Sequence, residues 1–247
     1  MPNLEPYSKK SDYSYCLGLY PSLMLMEARP ELALRLLVSP AASGEGADKL
    51  KQECSVRGVR IEEASRVLKR ESGKDNCFAG LVFRKAFQAL DPSLPHAVLC
   101  QVSDEGNLGT ILRSALGFEY RDIAIIRPAA DVFNPRVVRA TMGAMFRLRI
   151  CEFESFSDYE AAFPGRKLYP FMLDGASELS KVAPCAPVAH SLIFGNEARG
   201  LDPVFQSKGH SVLIPQSREL DSLNLSVAAS IAMYAFRQAL CGNKQSE

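Results

Sequence analysis

"HAVLCQVSDEGNLGTILRSALG", residues 96–117, decides the fold. Its first seven residues form a short apolar run bounded by polar turn residues, which reads as a buried strand. Asp104, Glu105, Gly106 and Asn107 follow as a glycine-bearing loop, and the apolar spacing beyond them is that of a helix. A buried strand feeding such a loop and a helix opens a βα unit, whose sheet is parallel and covered by helices.

The same alternation extends toward the carboxyl terminus. "DIAIIRP" (122–128), "RICEFES" (149–155), "KLYPFMLD" (167–174), "HSLIF" (190–194) and "GHSVLIPQ" (209–216) read as strands. "NPRVVRATMGAMFRL" (134–148) reads as a helix begun by Asn134 and Pro135, "FSDYEAAF" (156–163) as another, and a last helix begins near Leu225. A smaller α/β series precedes. Residues 14–29 have helical apolar spacing, "LALRLLVSP" (32–40), "VRIEEAS" (59–65) and "FAGLVF" (78–83) are strands, and helices cover about 49–57 and 66–73. Pro92 and Pro95 mark a boundary. The expected organisation is a first α/β domain over 1–92 and a second over 93–247.

Composition narrows the class. Of 247 residues, 47% are hydrophobic and 23% charged, with a net charge of +1, as in ordinary globular proteins. No apolar run is long enough to cross a bilayer, and the polar start lacks a signal-peptide core, so a cytoplasmic protein with no membrane partner is expected. The seven cysteines show no CxxC pair and His96, His190 and His210 stand apart. This argues for reduced thiols, structural histidines and no metal site.

In parallel α/β sheets, ligands gather at the carboxyl ends of the strands. Three polar loops fall there: "SDEGNLG" (103–109), "GNEARG" (195–200) and "QSRELDSLN" (216–224). Gly106, Gly109, Gly195 and Gly200 permit close backbone approach. Asn107 offers both donors and acceptors. Ser222 or Asn224 can cap the last helix, and a cap needs only one of them. Neither a P-loop nor a GxGxxG fingerprint is present.

Taken in order, "DEGNLGTILRSALGF", "LIFGNEARGL" and "IPQSRELDSLNLSVAASIAMY" resemble the three motifs of the SpoU (TrmH) family of RNA methyltransferases, in the SPOUT class. Residues 13–84 are similar to that family's frequent amino-terminal domain, a ribosomal-protein-like α/β fold that helps bind RNA. The resemblance implies a trefoil-knotted parallel-sheet domain, a homodimer, and methyl transfer from S-adenosylmethionine to a ribose 2′-hydroxyl of rRNA or tRNA. It implies catalytic roles for Asn107, Arg113, Glu197, Ser222 and Asn224. Glu197 would orient either Arg113 or the loop. Asn107 would place either the ribose or Arg113. Arg113 would act on the hydroxyl, as an electrostatic stabiliser of the alkoxide in preference to a base, because arginine stays protonated. Gly195, Asn196, Gly200, Ile214 and Leu223 match cofactor-binding positions. Two departures stand out: Glu105 replaces the family's usual proline, and the third motif's loop lacks its usual glycine.

Phosphate contacts are expected from Lys69, Arg70 and Lys74 and from Arg136 and Arg139, though scattered charges of this kind also suit a solvated surface. Two rival functions fit parts of the pattern: an inactive RNA-binding protein that keeps the fold, and a Rossmann-like nucleotide enzyme.

Overall fold

The computed structural model describes residues 4–217 and 219–242, with the backbone alone for 240–242. Contacts divide the chain into two units: the described part of Met1–Ala86 together with Asp131–Arg147, and Phe87–Ala130 together with Leu148–Glu247.

The first series runs β1 (Tyr13–Leu17), α1 (Leu19–Ala28), β2 (Ala33–Val38), α2 (Glu45–Val56), β3 (Arg60–Glu63), α3 (Ser65–Ser72) and β4 (Ala79–Arg84). Its sheet has the order β1-β4-β2-β3, with β2 and β3 parallel and the other pairs antiparallel. Residues 14–29, read as one helix, are a strand and a helix separated at Gly18. Tyr15 and Leu17 are strand residues that pack with Leu37, Leu68 and Val82 in this unit's core. Burial against β4 thus outweighs the local helical spacing.

The second series begins with β5 (His96–Cys100), α4 (Glu105–Gly117), β6 (Asp122–Ile126) and α5 (Pro135–Ala140). It continues with β7 (Arg149–Phe153), α6 (Phe156–Ala162), β8 (Lys167–Pro170), β9 (Ser177–Glu178) and α7 (Leu179–Val182). It ends with β10 (His190–Phe194), α8 (Phe205–Lys208), β11 (Val212–Leu213) and α9 (Leu225–Gly242). Five strands form a wholly parallel sheet of order β7-β6-β5-β10-β8. The central β5, β6 and β10 are buried along their whole length, which is why they read as unbroken apolar runs. β10 enters between β5 and β8, two strands that precede it in the chain.

The division differs from a single boundary at residue 92. Asn134 and Pro135 do start a helix, with Asn134 Oδ1 accepting from the Arg136 amide at 2.9 Å. That helix is short, because Met142 and Gly143 take left-handed backbone angles. The segment packs with the first unit. The Phe146 ring meets Phe83 edge to face with centroids 5.1 Å apart, and Arg139 Nη1 donates to the Ser72 carbonyl at 2.7 Å.

At the amino ends of the parallel strands lies a buried polar network. His96 Nε2–H donates to the Asp91 carbonyl at 2.8 Å, leaving Nδ1 to accept from the Tyr159 hydroxyl at 2.8 Å. Tyr159 also meets Ser191 Oγ at 2.6 Å, and Arg166 Nε donates to the same hydroxyl at 2.9 Å. The other Arg166 nitrogens donate to the carbonyls of Pro92, Leu94 and His190. His190 Nδ1–H donates to the Pro187 carbonyl, and its Nε2 accepts from Tyr120 at 2.6 Å. Burial pushes both imidazoles down to about 4, so they are neutral at physiological pH.

Candidate active site

The three polar loops meet at the carboxyl ends of the second unit's sheet. Asp104 caps α4, its Oδ1 accepting the Asn107 amide at 2.7 Å. Gly106, Asn107 and Gly109, expected in a loop, therefore lie inside the first turns of the helix. Asp104 supplies the start signal that an aspartate supplies at many helix entries.

Glu197 organises this turn. Its carboxylate accepts from the Ser103 amide at 3.1 Å, Ser103 Oγ at 3.0 Å and the Asp104 amide at 3.0 Å. Asn107 Nδ2 at 3.4 Å and Asn196 Nδ2 at 3.3 Å add two longer donors. Partial burial raises its pKa, but the Asp104 and Ser103 donors outweigh this and hold the carboxyl below its ordinary range. Glu197 is a committed acceptor. Its hydrogen bonds go to the loop and, among the described residues, none reaches Arg113.

Asn224 is both cap and bridge. Its Oδ1 accepts from the Ser226 amide at 2.8 Å and Ser226 Oγ at 2.7 Å, closing the first turn of α9. Its Nδ2 donates to Asn107 Oδ1 at 2.9 Å. One hydrogen-bonded chain, Asn224 to Asn107 to Glu197, therefore ties the three loops together. Ser222 takes no part in the cap; it lies exposed on the rim of a neighbouring cavity. Arg113 stands about two turns along α4, exposed, and among the described residues its guanidinium makes no hydrogen bond or ion pair.

The cavity measures about 300 Å³, the lower end of the range for small-molecule sites. Phe171, Leu201 and Val212 give it an apolar side, and Gly200, Ile214 and Leu223 line it from the loops. Asp174, Arg199 and Gln216 supply polar groups. Gln216 Oε1 also accepts from the Leu223 amide at 3.1 Å, bracing the third loop. These three polar residues were not singled out in the sequence. Gln216 directly follows Pro215, just beyond β11, and that is the only local signal it carries.

Two of the expected cofactor residues do not line the cavity. Asn196 Nδ2 donates to the Gln101 carbonyl at 2.9 Å and its Oδ1 accepts the Ala198 and Arg199 amides. Gly195 is buried where the backbone of Gly200 and Leu201 passes over it; a Cβ there would stand 2.3 Å from the Gly200 carbonyl carbon. Both shape the loop that forms the wall.

The basic residues expected at RNA all lie in the first unit. Lys69 pairs with Asp75 at 2.7 Å, both exposed, and Arg70 with Glu71 at 2.7 Å. Lys74 is exposed on the next turn, and Arg139 is joined to the end of α3 through Ser72. Arg136 is exposed on α5. Two stretches far apart in sequence are therefore brought together. No cluster of metal-ligating side chains occurs among the described residues, and no helix among them is long and apolar enough to cross a membrane.

A parallel α/β unit whose three polar loops are joined by hydrogen bonds, two of them lining a small-molecule cavity, defines a ligand-binding enzyme domain of the open-sheet class. Residues 95–234 match the model of the SpoU rRNA Methylase family, and the chain belongs to that family. It is 27% identical to the 23S rRNA (guanosine-2′-O-)-methyltransferase RlmB of Acinetobacter baylyi, over 94% of this chain and 99% of that one. A tRNA/rRNA methyltransferase of Synechocystis is 31% identical, over 58% of this chain and 54% of its own length. Two other curated relatives are spanned over only 28% and 55% of their lengths. The fold is similar to that of an AdoMet-bound rRNA methyltransferase from Sinorhizobium meliloti: TM-score 0.78 over 93% of this chain and 88% of that one, at 24% identity.

Proposed function

We propose that this chain is an RNA 2′-O-ribose methyltransferase that uses S-adenosylmethionine and acts on rRNA or tRNA as a cytoplasmic homodimer. The observation that carries this reading is the Asn224–Asn107–Glu197 chain, which ties the three family motifs together beside a cavity lined from the second and third of them. The cavity fits the cofactor: an apolar side for a purine ring, loop backbone along one wall, and Asp174 and Arg199 of opposite charge for an amino-acid end. Gly200, Ile214, Leu223 and Ser222 would hold it there. Bound, it supplies an electrophilic methyl group.

The protein's own residues hold and activate the hydroxyl. Glu197 is saturated with donors and depressed in pKa, so it is not the base. Asn107 and Asn224, hydrogen-bonded to each other, form a fixed polar pair next to the cavity-lining Leu223. Holding two reactants in a near-attack arrangement accounts for much of such a rate. The Arg113 guanidinium stabilises negative charge on the ribose oxygen as the hydroxyl proton leaves to water.

Two further features support the reading. α9 leaves Val227, Ile231 and Tyr234 exposed by 46%, 38% and 52% at helical spacing, an apolar stripe suited to a second copy of the chain. At Gly175 a Cβ would stand 2.4 Å from the Val212 carbonyl carbon, and Gly195 is as close to Gly200. These close crossings, with β10 inserted between earlier strands, suit a knotted path.

Transfer of labelled methyl from S-adenosylmethionine to rRNA or tRNA, with the product mapped as 2′-O-methylribose, tests the activity. RNA binding with no transfer would replace this reading with that of an inactive RNA-binding protein. Light scattering tests the dimer.

A further inference from the structure

The second unit has another cavity at the carboxyl ends of its strands, of about 290 Å³. None of the roles given above uses it. It shares Gly200 and Leu201 with the first cavity as a common wall. Its inner surface is apolar and buried, from Cys100, Ile126, Phe156 and Phe205, the two rings meeting edge to face at 4.7 Å. Its outer part is polar: Gln101, Arg127, Glu154 and Asp202.

Gln101 joins this cavity to the catalytic cluster. Its carbonyl accepts from Asn196 at 2.9 Å, the residue beside Glu197. Its side-chain oxygen accepts a long hydrogen bond, 3.5 Å, from Arg199, which lines the first cavity. Gln101 is not glycine, yet it has φ 58°. Such a backbone is disfavoured for any residue with a side chain and persists only where surrounding contacts impose it. Here it ends β5 at the junction of the two cavities.

A cavity with an apolar interior and a polar mouth, of a size for one small planar molecule, matches a nucleobase taken out of its stack. The mouth also carries charged hydrogen-bonding groups. Arg127 Nη1 donates to Glu154 at 2.6 Å while its Nε and Nη2 face Glu152 at 3.0 and 2.9 Å, so one face of the guanidinium is braced and an exposed carboxylate stands beside it. On its Watson–Crick edge guanine has an acceptor, O6, beside two donors, N1–H and N2–H. The carboxylate takes both donors and the guanidinium takes O6. Adenine offers a single donor there, and the pyrimidines are smaller.

We infer that this second cavity is a base subsite that receives a guanine of the substrate RNA, at or next to the nucleotide whose ribose is methylated. The inference rests on the proposed methyltransferase reading and deepens it. Guanosine 5′-monophosphate and the three other ribonucleoside monophosphates are titrated into the full-length protein and followed by NMR. The expected result is saturable binding of the guanosine nucleotide, about tenfold tighter than the adenosine one. Glu154→Gln is expected to remove that preference. Gln101→Gly, which suits the left-handed backbone and leaves folding intact, is expected to weaken binding about tenfold. Equal affinity for all four nucleotides, or unchanged guanosine binding in both variants, would overturn the subsite. S-adenosylmethionine binding by calorimetry on the same samples separates the two ideas. Donor binding with no nucleotide preference removes only the base subsite. Absent donor binding in the parent protein removes the methyltransferase reading.

Discussion

At the amino ends of the second unit's strands, His96, Tyr159, Ser191, Arg166, His190 and Tyr120 are linked donor to acceptor. At the carboxyl ends, Asn107, Glu197 and Asn224 are linked as well, yet Arg113 and Ser222 beside them are exposed and without hydrogen-bond partners among the described residues. The first cluster is closed: its directions are set by carbonyls at both ends, and His96 and Ser191 are fully buried. The second is open and keeps polar capacity for something outside the chain. Polarity alone therefore does not mark a site. A buried network that satisfies itself is architecture, and an ordered cluster with spare groups at a cavity is where chemistry belongs.

The contrast is broken most directly by single changes at each end. Arg113→Ala is expected to lower methyl transfer by about 10²–10³-fold with an unchanged melting temperature, because the side chain supports nothing else. A matched loss of stability would make Arg113 structural. Arg166→Ala should do the reverse. It strips donors from Ser191 and three carbonyls at once, at a cost of about 2–4 kcal/mol in urea unfolding, while the folded fraction keeps its turnover.

pH sharpens the same comparison. The folded-state pKa values of His96 and His190 are pushed down to about 4 from 6.5. Between these limits the unfolded chain binds the extra protons, so stability is fully present above about pH 6.5 and falls as pH drops toward 4. The slope is up to about 1.4 kcal/mol per pH unit for each histidine. Urea midpoints at pH 7, 6 and 5 check this, and a flat profile would mean that the imidazoles titrate alike in the folded and unfolded chain.

The smallest effects separate the two residues before α9. Asn224→Ala loses the cap and should cost about 1 kcal/mol, together with activity. Asn224→Asp keeps the cap oxygen and loses the donor to Asn107, so activity falls while stability holds. Ser222→Ala should leave the melting temperature unchanged and lower turnover. A destabilised Ser222→Ala would show that the cap assignment is reversed.

Much of this was legible in the sequence for a physical reason. Central parallel strands are buried on both faces, so β5, β6 and β10 stand out as apolar runs. Two of the three loops follow such strands, β5 and β10, and their asparagines and glycines are residues that ordinary turns do not require in that number; the third follows the short β11, which pairs with β9. What was not legible depends on tertiary contact. Tyr13–Leu17 has helical spacing and is a strand because β4 lies beside it. Glu197 was placed in the site, but its five donors come from residues about ninety positions earlier or from its own neighbour. Asp174, Arg199 and Gln216 reach the cavity only because their loops converge. The choice between Ser222 and Asn224 as cap needed the geometry of a single helix turn.

The segment Asp131–Arg147 has a consequence for how such a protein is inherited. Phe133, Val137, Val138 and Phe146 are buried in the first unit, although they are encoded between β6 and β7 of the second. A recombination event that exchanged everything before residue 92 would carry off most of that core and leave behind the part that Asp131–Arg147 supplies. A successful graft needs three seams: after Ala86, before Asp131 and after Arg147. The first unit is therefore a poor candidate for shuffling, and its sequence can drift only in step with a short piece encoded within its neighbour.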